Sequence, residues 1–120
     1  MMVERDAKLV EGLNECRQKL NAEAQILRSD AQDFLAGPAD QRFDIVFVDP
    51  PYTSAIEPIL QSLIRHIGAR TRVYVERPAD QGLPELESFQ WLHSSRAGAI
   101  CYGLATLSAD SRSIAADAQP

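Results

Sequence analysis

The stretch FDIVFVDPPY, residues 43–52, decides the interpretation of the whole chain. Residues 43–48 are nearly all apolar, which is typical of a strand that is buried on both faces of a parallel sheet. The tetrapeptide DPPY follows at once, and ligands of open parallel sheets bind beyond the carboxyl ends of the strands. Two consecutive prolines stiffen the backbone and remove two N–H donors. We therefore expect a rigid turn, rich in hydrogen-bond acceptors, at a ligand-binding edge.

Extended and helical patterns alternate on both sides of this stretch. Asp6 and Asp30 are typical N-caps, Gly37-Pro38 ends a short helix, and Gly98 lies between the last two strands. The closeness of those strands predicts an antiparallel hairpin. The alternation predicts an α/β fold with a mostly parallel sheet and this C-terminal antiparallel hairpin. The predicted strands are the stub Met2-Val3 and residues 24–28, 43–48, 72–76, 89–94 and 99–107, and the predicted helices are residues 6–20, 31–36 and 54–67.

The third predicted helix begins with the capping-box spacing of Ser54 and Glu57 and is expected to end at Gly68. His66, near its end, is expected on the surface, where the helix dipole stabilises a cation. Cys16 fits the apolar stripe of the first helix and is expected in the core. A locally basic group is either a phosphate-binding patch or a solvated face, and it comprises Arg65, Arg70, Arg72 and Arg77.

Length and composition limit the class of protein. The 120 residues suffice for one domain, which we place at 1–107, followed by a flexible tail at 108–120. A net charge of −5 argues against a nucleic-acid binder that relies on bulk charge. We expect no membrane association, since no apolar run reaches the ~20 residues of a bilayer span. Two cysteines without a CxxC spacing, and no secretory signal, favour a reduced, cytoplasmic setting.

The turn at residues 49–52 carries the groups needed to position an amino nitrogen of a nucleic-acid base. The carboxylate of Asp49 can accept one N–H and the carbonyl of Pro50 the other, which directs the nitrogen lone pair at an electrophile. The ring of Tyr52 can stack on the base, which must be flipped out or single-stranded. The simpler alternative is that the prolines break the chain after the strand and Asp49 caps the next turn.

The sequence [D/N]PP[Y/F] after a sheet strand is the hallmark of S-adenosylmethionine-dependent methyltransferases that act on amino nitrogens. The wider sequence resembles the bacterial small-subunit ribosomal RNA guanine-N2 methyltransferase family, over about residues 3–107. This resemblance implies a Rossmann-like class I methyltransferase fold. The segments that carry it, in order, are VERD (3–6), RSDAQDFL (28–35), FDIVFVDPPY (43–52), RVYVE (72–76), QGLP (81–84) and WLHSSRAG (91–98).

The resemblance also implies a role for each matching residue, and it implies no metal. Glu4 matches the acidic residue that binds the ribose hydroxyls of S-adenosylmethionine. Asp30 and Ala31 match the polar side chain and the backbone amide that meet the adenine. Without the resemblance, we would interpret Glu4 as a solvated residue at the start of a helix and Asp30 as an N-cap with no further role. The catalytic tetrapeptide of the family is matched by Asp49, Pro50, Pro51 and Tyr52.

The chain lacks two segments of that family, and the departure is large. The family has a glycine-rich segment of the type DLFAGSGALG after its first strand, and a basic N-terminal segment that is expected to meet RNA. Neither occurs here, and the six glycines are isolated from one another. The chain is therefore expected to begin at the end of the family's second strand, as an N-terminally truncated domain. The missing strand lies between the second and fourth strands, so we expect a gap in the sheet and weaker cofactor binding.

The implied reaction is methyl transfer from S-adenosylmethionine to guanine N2 of small-subunit ribosomal RNA, with the RNA or the assembled subunit as partner. Two alternatives stay open. One is methylation of adenine N6 in DNA or RNA, which uses the same tetrapeptide. The other is a non-catalytic remnant that binds a partner chain, or self-associates, to complete the sheet. The missing glycine loop favours this last alternative.

Overall fold

The computed structural model describes residues 1–51 and 55–109, and the chain divides into two compact units, Met1–Pro38 and Ala39–Pro120. The predicted strand stub at Met2-Val3 is confirmed as part of the first strand. Most of the predicted tail, from residue 110 onward, lies outside the described residues. None of the helices in the described ranges is both long and apolar enough to cross a bilayer.

The first unit is a strand–helix–strand–helix segment. Strand β1 (Met2–Glu4) pairs in parallel with β2 (Ile26–Arg28), with Glu4 opposite Arg28. Helix α1 (Ala7–Leu20) connects the two strands, and α2 (Ala31–Ala36) follows β2. The connection from a parallel strand through a helix to the next is the unit from which α/β folds are built.

Both helices of this unit begin at the predicted aspartates. Asp6 Oδ1 accepts the backbone N–H of Lys8 and Leu9 at 2.9 and 3.0 Å, and Asp30 Oδ1 accepts that of Gln32 at 2.9 Å. These bonds satisfy donors that have no partner inside the helix. Helix α2 ends before Gly37-Pro38, as predicted.

The second unit contains a four-stranded mixed sheet. Its strands are β3 (Phe43–Val48), β4 (Ile67–Pro78), β5 (Phe89–Ala97) and β6 (Ile100–Leu107), in the order β3-β4-β6-β5. Strands β3 and β4 run parallel, whereas β6 is antiparallel to both β4 and β5. Gly98, at φ 63°, forms the turn of the predicted hairpin. The α/β class and the hairpin are thus confirmed.

One side of this sheet contributes to the core of the second unit. Along residues 71–78 of β4, buried residues alternate with exposed or half-buried ones, as expected where one face is covered. Helix α3 (Glu57–Leu63) adds an apolar stripe to the same core. The buried apolar residues are Val48, Ile56, Ile59, Leu60, Leu63, Ile67, Val73, Val75, Phe89, Ala105 and Leu107.

The other side of β3 is open, which corrects the prediction of a strand buried on both faces. Ile45 is 63% exposed and Phe47 is 76% exposed. Both residues project from the same face because side chains alternate along a strand. Among the described strands, β3 has β4 as its one neighbour, so it forms an edge of the sheet.

Helix α3 is shorter than predicted. It ends at Leu63, a 3-10 turn occupies Ile64–His66, and β4 begins at Ile67, so Gly68 lies in a strand rather than at a helix end. Arg42 causes part of this difference, since its guanidinium donates to the carbonyls of Arg65 and Ile67 at 3.1 and 2.9 Å. These long-range bonds hold the chain in the turn. The predicted capping residue Ser54 lies outside the described residues.

Three further expectations are wrong. His66 is 2% exposed, because the 3-10 turn carries it inward rather than leaving it at a helix end on the surface. Cys16 is exposed, since α1 has no buried residue. Arg77 is 7% exposed and its guanidinium donates to Gln81 Oε1, so it does not belong to a surface basic patch.

Candidate functional site

The candidate catalytic residues follow β3 directly. Val48, the last residue of β3, pairs with Val75 of β4, so residues 49–51 leave the sheet at the carboxyl end of β3, beside the C-terminal part of β4. Asp49 and Pro51 are exposed, and Pro50 is half-buried. Tyr52 lies outside the described residues. The carboxylate of Asp49 is therefore exposed, next to a backbone that two consecutive prolines make stiff. In open parallel sheets, ligands bind at the edge where the strands have their carboxyl ends.

Two side chains of β4 adjoin this edge. The rings of Phe47 and Tyr74 meet edge-to-face with centroids 5.8 Å apart, and Tyr74 donates its hydroxyl hydrogen to Glu76 Oε1 at 2.8 Å. The hydrogen bond to Glu76 raises the pKa of Tyr74 above its ordinary 10.0, and the negative charge of Asp49 contributes in the same direction. Asp49 therefore lies within electrostatic reach of the Tyr74 hydroxyl.

The pattern of residues 72–76 predicts only a strand, and it does not indicate the contribution of Tyr74 and Glu76. A signal was available in the alternation of these polar side chains with the buried Val73 and Val75. Their placement beside Asp49 depends on the register between β3 and β4, which the pattern of one strand does not contain.

The first unit places the predicted cofactor-binding residues at one edge of its two-stranded sheet. Glu4 ends β1, and its backbone carbonyl accepts the N–H of Ser29 at 3.0 Å, just before Asp30. Glu4 Oε1 also accepts the backbone N–H of Asp6 at 3.3 Å. Asp30 Oδ2 lies 4.0 Å from a guanidinium nitrogen of Arg5, and Ala31 opens α2. Glu4, Asp30 and Ala31 are thus neighbours within this unit.

These residues offer carboxylate oxygens and a backbone amide. Such groups suit the hydroxyls of a ribose and the polar edge of an adenine. Within residues 1–51 and 55–109, no three His, Cys, Asp or Glu side chains are grouped so as to hold a metal ion. Asp49 to Pro51 belong to the second unit and Glu4, Asp30 and Ala31 to the first.

Comparison with known proteins identifies relatives. The sequence profile of the family described as "Conserved hypothetical protein 95" matches residues 1–106. No curated protein matches the chain. The matched residues include every candidate site residue and all of the segment from β1 to β6 except its last residue, Leu107.

Solved structures share the fold. A candidate methylase from Haemophilus influenzae is 27% identical with a TM-score of 0.76, over 88% of this chain and 70% of that one. A candidate methyltransferase from Escherichia coli is also 27% identical with a TM-score of 0.76, over 89% of this chain and 62% of that one. An rRNA methyltransferase from Streptomyces viridochromogenes is 19% identical with a TM-score of 0.57, over 92% of this chain and 49% of that one, and it shows the fold alone. The resemblance and the α/β methyltransferase fold are confirmed.

Proposed function

Because the chain belongs to the family described as "Conserved hypothetical protein 95", we propose that it acts in methyl transfer from S-adenosylmethionine to the N2 amino group of a guanine in small-subunit ribosomal RNA. The observation that carries this proposal is the position of Asp49 and Pro50 at the carboxyl end of β3, beside the C-terminal part of the parallel strand β4. The chain spans 70% and 62% of the two 27% identical structures, so the activity is proposed from a part of their length.

The turn after β3 holds the amino nitrogen. The carboxylate of Asp49 accepts one N–H of the amine and the carbonyl of Pro50 accepts the other. The two prolines hold these acceptors in position before the substrate binds. The turn therefore loses little conformational entropy on reaching the reactive geometry. The nitrogen gains positive charge as its bond to the methyl group forms and the bond from that methyl group to sulfur breaks, and the nearby carboxylate stabilises that charge until the proton passes to solvent. Tyr52 stacks on the face of the base.

The first unit holds the cofactor in this proposal. Glu4 accepts the ribose hydroxyls, and Asp30 with the backbone amide of Ala31 meets the adenine. The donor set fits such a group, since the carboxylate of Glu4 ends a parallel strand and keeps acceptor capacity beyond its bond from Asp6. When bound, S-adenosylmethionine supplies a methyl group carried on a positively charged sulfur. No metal is needed for this chemistry.

Ribosomal RNA is proposed as the substrate class on the family resemblance and on the chemistry of the turn. The net charge of −5 gives no general attraction to a polyanion, so recognition has to come from local contacts at the base. The target base must be unpaired or flipped, because N2 of a paired guanine cannot reach the turn. Adenine N6 remains the alternative target, since the tetrapeptide accepts either amine.

A two-part experiment tests the proposal. First, the chain is titrated calorimetrically with S-adenosylhomocysteine, and micromolar binding is expected. Second, methyl transfer from labelled S-adenosylmethionine is measured with unmethylated small ribosomal subunits, with their naked RNA and with DNA, and the methylated nucleoside is identified after digestion. Asp49→Ala should keep S-adenosylhomocysteine binding and lose transfer, because Asp49 contacts the amine and not the cofactor. A folded chain that binds no S-adenosylhomocysteine contradicts the proposal.

A second candidate function, β-strand addition with another polypeptide, is favoured by the open side of β3. This edge strand exposes Ile45 and Phe47, and its outer edge is a site for pairing with a further strand, which a second copy of the chain can supply. Sedimentation at increasing concentration tests it. Association should weaken in Phe47→Lys and persist in Leu92→Lys, since Leu92 is 45% exposed on the opposite edge strand, β5. A wild-type chain that stays monomeric argues against self-association.

A further inference from the structure

Glu76, near the carboxyl end of β4, and Asp49, directly after β3, occupy corresponding positions on neighbouring parallel strands. Val48 pairs with Val75, and each of the two acidic residues comes next in its own strand direction. Side chains alternate along a strand, so Glu76 shares a face of the sheet with Tyr74. The ring contact between Phe47 and Tyr74 fixes that face as the open one, beside the turn that begins at Asp49.

The carboxylate of Glu76 is held in a defined orientation. Tyr74, two residues earlier on the same face, donates its hydroxyl hydrogen to Glu76 Oε1 at 2.8 Å. Tyr102 of β6 is the register partner of Glu76 and lies beside Tyr74, with ring centroids 6.2 Å apart. Glu76 is half-buried. A carboxylate has about four lone-pair sites, so one bond from Tyr74 leaves it able to accept from a ligand.

Guanine and adenine differ at the atom next to the amine. Guanine carries a hydrogen on N1 beside its N2 amino group, so its Watson–Crick edge presents a run of donors. Adenine carries a bare N1 beside its N6 amino group, and that nitrogen is an acceptor. In the proposed function Asp49 and Pro50 take both hydrogens of the amine. A third acceptor beside Asp49 and Pro50 would meet a donor on guanine and an acceptor on adenine, and it would therefore distinguish the two bases.

We propose that Glu76 accepts the N1–H of the target guanine and is the residue that selects guanine over adenine at this site. A carboxylate facing the N1 of adenine would meet a lone pair, and both acceptors would lose their water without gaining a hydrogen bond. Tyr74 acts as a positioning residue, because it orients the carboxylate and does not itself meet the base. This inference rests on the proposed function, and it adds the source of its base specificity.

The test compares two probes that differ at N1. Guanosine and 2-aminopurine riboside both carry the 2-amino group, but N1 of 2-aminopurine has no hydrogen. Dissociation constants for both nucleosides are measured on the full chain by ligand-observed NMR. The wild type should prefer guanosine by about tenfold or more, as expected for one hydrogen bond to a charged group. Glu76→Ala should lose this preference, and Tyr74→Phe should reduce it.

Glu85→Ala is the matched control, since Glu85 is an exposed carboxylate in the loop between β4 and β5 of the same unit. It should keep the wild-type preference. Circular dichroism verifies that each variant is folded, and Tyr74→Phe carries the test if Glu76→Ala does not fold.

The possible outcomes distinguish a failure of the role of Glu76 from a failure of the proposed function. A wild type that binds both nucleosides equally, or a folded Glu76→Ala that keeps the preference, overturns the role of Glu76. Methyl transfer to guanine in ribosomal RNA can still be observed in that case, and the proposed function then stands. A chain that binds neither nucleoside and transfers no methyl group overturns both.

Discussion

Tyr74 and Glu76 are joined by a hydrogen bond of 2.8 Å from the phenol hydroxyl to Oε1, on the open face of the sheet and beside the turn that begins at Asp49. The bond links two residues of β4, and the neighbouring strand β3 leads into the turn with the candidate catalytic residues. Because β3 and β4 are parallel and in register, the pair stands next to the acceptors proposed to hold the substrate amine. The same bond gives Tyr74 a measurable signature.

The ionisation of Tyr74 should occur above pH 10.0, because its hydrogen bond to Glu76 favours the neutral phenol. A group whose pKa is raised by folding stabilises the folded state fully below its unfolded pKa. That contribution is lost as the pH rises through the folded pKa. The measurement is phenolate absorbance in an alkaline titration, taken as wild type minus Tyr74→Phe. In Glu76→Gln the midpoint should move down toward the ordinary value. A wild-type midpoint at or below 10.0 contradicts the assignment.

Replacement of Glu4 by Gln should weaken S-adenosylhomocysteine binding by about tenfold or more, since hydrogen bonds from ribose hydroxyls to a carboxylate are stronger than those to a neutral amide. Isothermal titration calorimetry measures the dissociation constant. Glu11→Gln is the control, because Glu11 is an exposed carboxylate of the same unit on α1. Equal affinities for Glu4→Gln and wild type would remove Glu4 from the proposed cofactor site.

The buried Thr71 hydroxyl ties the start of β4 to the start of β3. It donates to the carbonyl of Phe43 and accepts the N–H of Gly68 at 3.0 Å. Thr71→Val keeps the shape but leaves these two backbone groups without their partner, so the free energy of unfolding should fall by about 1–3 kcal/mol. Thr71→Ser keeps the hydroxyl and should cost less, about 0.8 kcal/mol for one lost methyl group. Urea denaturation compares the two, and a Val variant as stable as the Ser variant is the contrary result.

Gly103 is required by the close approach of Trp91. A Cβ at this position would lie 2.6 Å from Leu83 Cδ1 and 2.8 Å from two ring carbons of Trp91. The indole is held by its N–H donating to the carbonyl of Pro84 at 2.9 Å, so it cannot move freely. Gly103→Ala should lower the free energy of unfolding by about 1–3 kcal/mol, measured by urea denaturation.

Gly12→Ala is the opposite case and serves as the control. Gly12 lies in α1 with nothing within 4 Å of its would-be Cβ. Alanine there should stabilise the helix by about 0.5–1 kcal/mol, because the unfolded chain loses conformational freedom. If both glycine variants shift stability in the same direction, the packing argument for Gly103 is wrong.

Several elements were predictable because their signals are local. The limits of α2 follow from Asp30 at its start and Gly37-Pro38 at its end. Gly98 adopts the positive φ that its hairpin turn needs. In each of these cases the deciding contacts involve residues no more than a few positions apart, so a pattern in the sequence is sufficient.

Other features escaped prediction because they depend on distant partners. The helix predicted to reach residue 67 ends at Leu63. The chain after it is held by two long-range bonds, because Arg42 donates to the carbonyl of Arg65 and Thr71 donates to the carbonyl of Phe43. Each of these bonds joins residues more than twenty positions apart. His66 lies in the 3-10 turn that follows the helix and is buried. The apolar composition of residues 43–48 predicts the strand β3 correctly. It does not show which face of that strand is covered by other elements.

The sequence by itself determined where α1 and α2 begin, and it placed Asp49-Pro50-Pro51 directly after an apolar strand. Tertiary structure alone decided the β3-β4-β6-β5 order and the position of Glu76 beside Asp49. The physical reason is that caps, turns and prolines act on their immediate neighbours, whereas strand register is a choice among pairings of remote segments. That choice is made by the burial of whole faces and by hydrogen bonds that exist only once the chain has folded.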